Sequence, residues 1–176
     1  MDDSGDGIVA GIRAVLTDAA GRLAAAGARD EALAEFVPAR RVLLVTRRAV
    51  MVPLGRVWRL GVLLLDRAGN PYQEGLTTRA VAPGRTQYQS ESAEVRRAYR
   101  DAAFRGRFPE GETVNFDASP IELDAPGLRS SRGVLFVRGD DAVVRWSATV
   151  GDDAAIPLDA YLADRVDLLI HPPQGA

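Results

Sequence analysis

The chain has 176 residues, 47% of them hydrophobic and 26% charged, with a formal net charge of -2. That length and apolar fraction suit one domain with a sizeable core and exclude wholesale disorder. Cysteine is absent and all 22 basic residues are arginine, which excludes disulfides, zinc thiolates, thiol nucleophiles, Schiff bases, Ser-Lys pairs and a P-loop lysine.

The near-neutral charge gives no global attraction to nucleic acid or anionic lipid. The acidic start, MDDSGDG, lacks the basic region of a secretory signal. The most apolar run, Val57 to Leu65, is interrupted by Arg59 and is too short to cross a bilayer. These features predict a soluble, cytoplasmic protein without membrane association.

In chain order, Ile8, Ile12, Val15, Leu16, Ala19 and Leu23 recur at helical spacing, which predicts a helix from Ile8 to Ala26. Asp6 serves as its N-cap and Gly27 as its C′ residue. Asp30 caps a second, short helix carrying Leu33, Phe36 and Val37, ended by Pro38. Arg41 to Thr46, Val50 to Pro53 and Val57 to Leu65 read as consecutive strands. Asp66 to Asn70 is a hairpin loop in which Gly69 and Asn70 can take positive φ, and Tyr72 to Val81 is the returning strand.

Ala82-Pro83-Gly84 breaks the sheet. Ser90 or Ser92, in the cluster Gln89-Ser90-Glu91-Ser92, caps a helix running to about Arg105, with Val95, Ala98, Tyr99, Ala102 and Ala103 on one face. Gly106 to Leu128, with three prolines, reads as an extended loop holding one short strand, Thr113 to Phe116. Gly133 to Arg138 and Ala142 to Ser147 flank Gly139-Asp140-Asp141 as a hairpin. Pro157 opens a final helix with the stripe Leu158, Tyr161, Leu162, Val166, Leu169 and Ile170.

Short links between strands favour antiparallel pairing. The expected fold class is α+β: an antiparallel sheet, or a half-open barrel of pleckstrin-homology type, with N-terminal helices, one inserted helix and a C-terminal helix. Residues 1–39 form a helical segment packed on an antiparallel α+β body of residues 40–176, together one domain.

Charge is polarised along the chain. Residues 40–59 hold six arginines and no acid, whereas the chain from Gly139 onward holds seven aspartates against Arg145 and Arg165. Guanidinium forks match phosphate and carboxylate geometry, so Arg47, Arg48, Arg56 and Arg59 form a candidate anion-binding set; a solvated, charge-protected sheet edge is the plainer reading. Only Trp58 lies among these arginines, which argues against a single-stranded nucleic-acid stripe. Glu110, Glu112, Asn115 and Asp117 form an alternative acid/base cluster in a Pro-flanked segment, although a surface loop has the same composition. Their spacing matches no calcium loop, and no metal or cofactor is expected. His171, the single histidine, ends the last helix and has no identifiable catalytic partner.

Trp58 and Trp146 read as sheet residues rather than a stacking platform. The run VWRLGVLLLDRAGNPYQEG is similar to the first strands of a Nudix hydrolase, but EVRRAYRDAAFR lacks that family's magnesium-binding carboxylates.

The stretches RRVLLVTRRAVMVPLGRVWRLGVLLLDRAGNPY and RGRFPEGETVNFDASPIELD resemble an uncharacterised family of short proteins from GC-rich actinobacteria, some of them labelled glutaminase. The resemblance covers Arg40 to Pro173 and implies no site residue. The leading expectation is a non-catalytic binding or assembly module, with an anionic ligand, an acidic protein partner or a second copy as its target. In the last case Ile8 to Ala26 packs on another chain. The rival is a carboxylate-dependent hydrolase.

Overall fold

The computed structural model describes residues 3–42, 45–82, 91–147 and 151–173. The chain divides into two compact units. The first comprises Met1–Asp30, Val57–Glu74 and Ser119–Ala176; the second comprises Glu31–Arg56 and Gly75–Ala118.

In the first unit, α1 (Asp3–Ala25) follows the expected periodicity but starts earlier, so Asp6 lies inside the helix. Its end is built by hydrogen bonds. The Ala28 N–H donates to Leu23 O at 3.0 Å and the Gly27 N–H to Ala24 O at 3.1 Å. That is a Schellman closure, and it needs the positive φ of 61° that Gly27 adopts. The stripe Ile12, Leu16, Ala19, Ala20 and Leu23 is buried in this unit's own core.

The rest of that core comes from the strands and α4. The C-terminal half of β4 (Val50–Leu60), β5 (Leu63–Asp66), β6 (Pro71–Gln73) and β9 (Ser119–Pro120) pair in sequence as an antiparallel ladder. The turn after β5 is held by the Asp66 carboxylate, which accepts from the N–H groups of Ala68 and Asn70, with Gly69 at φ 82°. Trp58 is buried, its indole N–H donating to Ala28 O at 3.0 Å.

A three-stranded sheet is formed by β10 (Leu135–Arg138), β11 (Asp141–Val144) and β12 (Ile156–Pro157). Between β9 and β10 lies α3 (Ala125–Ser130), where an extended loop is expected. Its signals are present in the sequence: Asp124 accepts from the Gly127 N–H at 2.7 Å, and Pro126 sits in the first turn. The final helix, α4 (Leu158–Ile170), buries Leu158, Tyr161, Leu162 and Val166 against the same core.

In the second unit the first departure from the sequence expectation is at residues Glu31–Val37, which form a strand, β1, and not a helix. Ala, Leu and Glu favour a helix locally, yet EALAEFV also alternates. Ala32, Ala34 and Phe36 join one core cluster while Leu33 is not part of it. Tertiary pairing overrides propensity here. β1 lies next to β8 (Thr113–Phe116) and runs parallel to it, with Leu33 opposite Asn115; β7 (Leu76–Arg79) pairs antiparallel on the far side of β8. That parallel pair makes the sheet mixed. The expected single strand from Tyr72 to Val81 is two, β6 and β7, which belong to different units.

The inserted helix α2 (Glu91–Arg105) covers one face of these strands with Ala102 and Ala103, which pack on Met51, Val114 and Phe116. The rings of Phe36, Tyr99 and Phe116 pack together, Tyr99 4.7 Å from Phe116 and 5.2 Å edge-on from Phe36. Val95, expected on the buried face, is exposed. The proposed cap Ser90, with Gln89, Pro83 and Gly84, lies outside the described residues.

The segment expected as one strand from Arg41 to Thr46 is a hairpin: β2 (Arg40–Val42) pairs antiparallel with β3 (Val45–Arg47). The architecture is therefore α+β, with a large, mainly antiparallel sheet, one N-terminal helix, an inserted helix and a C-terminal helix.

Candidate functional site

The arginine run begins in the β2–β3 hairpin. The register puts Arg40 opposite Arg47, Arg41 opposite Thr46 and Val42 opposite Val45. Residues opposite each other in a ladder share a face, so Arg40 and Arg47 project from the same side. Arg48 follows directly. All four arginines are exposed. Among the described residues none of them has an acidic partner. Two like charges directly opposite destabilise a strand pair by up to about 1 kcal/mol. A hairpin this small carries that penalty with little core to offset it.

The other two predicted arginines are engaged. Arg56, at the end of the second unit's share of β4, meets Glu112 at 2.8 Å. In the first unit, Arg59 meets Glu74 at 2.6 Å. The predicted set therefore divides: Arg47 and Arg48 stand together, while Arg56 and Arg59 each tie a strand to a carboxylate. Arg40 and Arg41, not in the predicted set, complete the hairpin. The sequence signal for them was the pair of arginine doublets at 40–41 and 47–48, spaced as two strand ends.

The alternative carboxylate cluster does not converge. Glu112 is the partner of Arg56. Asn115 is buried in β8, its amide donating to the Glu31 carboxylate at 2.8 Å and to Ala32 O at 3.1 Å. It is the single buried polar residue among those described, and its hydrogen bonds explain how it is tolerated there. Glu110 and Asp117 are exposed, Asp117 in a turn at φ 54°. Among the described residues, no group of three or more His, Asp or Glu is placed to hold a metal ion. His171 meets Asp167 at 3.0 Å on the exposed side of the last turn of α4.

No family model, curated protein or solved structure matches this chain.

Among the groups shifted by their surroundings, Asp152 and Tyr161 hold structural contacts. Arg145 lies over the Phe136 ring at 3.7 Å, grips Asp152 through two nitrogens at 2.6 and 3.1 Å, and donates to the Gly133 carbonyl. Its hydrogen bonds hold the Asp152 carboxyl below the ordinary range. Tyr161 is buried, and burial raises its phenol above the usual value. Among the described residues, no helix is long and apolar enough to cross a membrane.

Proposed function

We propose that this protein is a small non-catalytic binding module whose β2–β3 hairpin receives an acidic partner. One observation carries the reading: Arg40 faces Arg47 in register, flanked by Arg41 and Arg48, with all four exposed and no acid beside them among the described residues. By contrast, Arg56, Arg59, Arg67 and Arg145 each meet a carboxylate. A cluster left unmatched in such a chain is a place where a carboxylate-rich or phosphate-rich surface can supply the missing charge.

The test is a titration of the pure protein with poly-L-glutamate and with inorganic tripolyphosphate at several salt concentrations. Exposed charge contacts contribute roughly 0.2–1 kcal/mol each. Replacing Arg40, Arg41, Arg47 and Arg48 together by Gln should therefore weaken binding by roughly fourfold to several hundredfold. Arg56→Gln should leave binding in place, because that side chain already has its partner. Equal binding by the quadruple variant would overturn the reading. On this reading the pure protein is also expected to release no ammonia from glutamine.

A further inference from the structure

The first unit carries a surface that answers the hairpin in charge. The N-terminal half of α1, the β10–β11 turn and the start of α4 line an open groove of about 500 Å³. Half-buried Ile8 and Val15 form its accessible apolar lining above the buried Ile12 and Leu158, and Asp140, Asp141 and Asp159 its acidic part. Asp141 is the ladder partner of Arg138, but that guanidinium donates to the Asp152 carbonyl at 2.7 Å. Asp159 accepts from the Ala160 N–H at 2.7 Å. Among the described residues, none of the three aspartates has a cationic partner.

The α1 side of the groove is kept open by glycine. Gly7 and Gly11 lie one turn apart, and a Cβ built on either meets no atom within 4 Å. Glycine weakens a helix at such positions relative to alanine. What it leaves here is bare helix backbone, accessible to an incoming chain.

We propose that this groove receives the arginine hairpin of a second copy of the same chain. The proposal rests on the reading of the hairpin as an acid-receiving element. The charges are complementary: the hairpin carries four exposed arginines, with Arg40 and Arg47 on one face, and the groove carries three aspartates without a cationic partner among the described residues. A net charge of only -2 leaves little general repulsion between copies. Because the two surfaces are different, the contact is head-to-tail, and each copy keeps one surface free for the next.

Sedimentation velocity over a range of concentrations tests this with two blocked variants. Arg47→Gln with Arg48→Gln disables the hairpin and leaves the groove. Gly11→Leu fills the groove without altering charge, and leucine suits a helix better than glycine. The wild type is expected to grow in mass with concentration at low salt and to shrink at 1 M salt, where charges are screened within about 3 Å. Each variant alone should stay monomeric with an unchanged circular dichroism spectrum. Their equimolar mixture should form a dimer and stop there, because one good contact is restored and no second. Three results would overturn the proposal: a wild type monomeric throughout, a Gly11→Leu variant that assembles like the wild type, or a mixture no larger than its components. A monomeric wild type that still binds poly-L-glutamate through the hairpin would sink the self-assembly and spare the binding reading. A wild type that neither assembles nor binds poly-L-glutamate would sink both.

Discussion

Removing one oxygen atom, in Tyr161→Phe, probes how the first unit is locked. The Val62 N–H donates to the Tyr161 oxygen at 3.1 Å, and the Tyr161 hydroxyl donates to the Leu60 carbonyl at 2.8 Å. One side chain from α4 thus satisfies two backbone groups around the turn between β4 and β5. The phenylalanine ring would keep the apolar contacts, so the change isolates the hydrogen bonds. A net hydrogen bond contributes about 1 kcal/mol, and a buried group left without its partner costs about 1–3 kcal/mol. Leu60 is buried and Val62 half-buried, so the expected loss is about 2–3 kcal/mol. At 2–4 °C per kcal/mol for a chain of this size, Tm should fall by about 4–12 °C. Urea unfolding followed by the fluorescence of Trp58, which is buried in the same core, measures the free energy directly. A variant within about 0.5 kcal/mol of the wild type would refute the reasoning, because water would then be replacing both bonds.

The same phenol gives a pH signature. Burial raises its pKa above the ordinary value of 10.0. The folded protein therefore favours the neutral form. That contribution is complete below the unfolded value and is lost as pH rises through the folded one. The stability gap between the wild type and Tyr161→Phe should accordingly narrow above pH 10.

Other substitutions test separate parts of the structure. Gly61→Ala puts a Cβ 2.3 Å from the Tyr161 oxygen on a backbone at φ 66°, so it should destabilise by about 2 kcal/mol or more, and less when Tyr161→Phe removes the clashing atom; additive losses would count against the contact. Asp152→Asn should flatten the acid limb of the stability profile: the depressed carboxyl supports the fold above its unfolded pKa and ceases to do so as pH falls. An unchanged profile between pH 5 and 2 would show that the Arg145 pair contributes nothing, as exposed pairs often do. Asn115→Ala removes the amide that joins the Glu31 carboxylate to Ala32 O. It should cost about 1–3 kcal/mol in urea unfolding while leaving hairpin-dependent binding intact; a loss of binding without loss of stability would contradict the structural role.

What could be read in the sequence was whatever local signals determine. Helix α1 has its stripe and terminal glycine, the β10–β11 hairpin has its Gly-Asp turn, and α4 has Pro157 and a clean apolar face. Strand β1 was hidden because EALAEFV satisfies both periodicities, and only its parallel partner β8, about eighty residues later, decides between them. Helix α3 was missed although Asp124 and Pro126 announce it. The site was half legible for a related reason. Charge density marked Arg47 and Arg48, but whether an arginine is already matched depends on distant partners. Arg56 finds Glu112 across 56 residues of sequence, and no local pattern shows that.

The division of the chain also bears on how it matures during synthesis. The unit that starts first finishes last. Its opening helix α1 leaves the ribosome early, yet its core needs Leu158, Tyr161, Leu162 and Val166 from the end of the chain. The second unit has all of its residues once Ala118 has emerged. Vectorial synthesis therefore lets the inner unit close first, while α1 waits with its apolar stripe uncovered. Proteolysis of stalled nascent chains should show residues 75–118 becoming protected before residues 8–23; the reverse order would contradict this. A helix that must wait is the segment of this protein most in need of a chaperone.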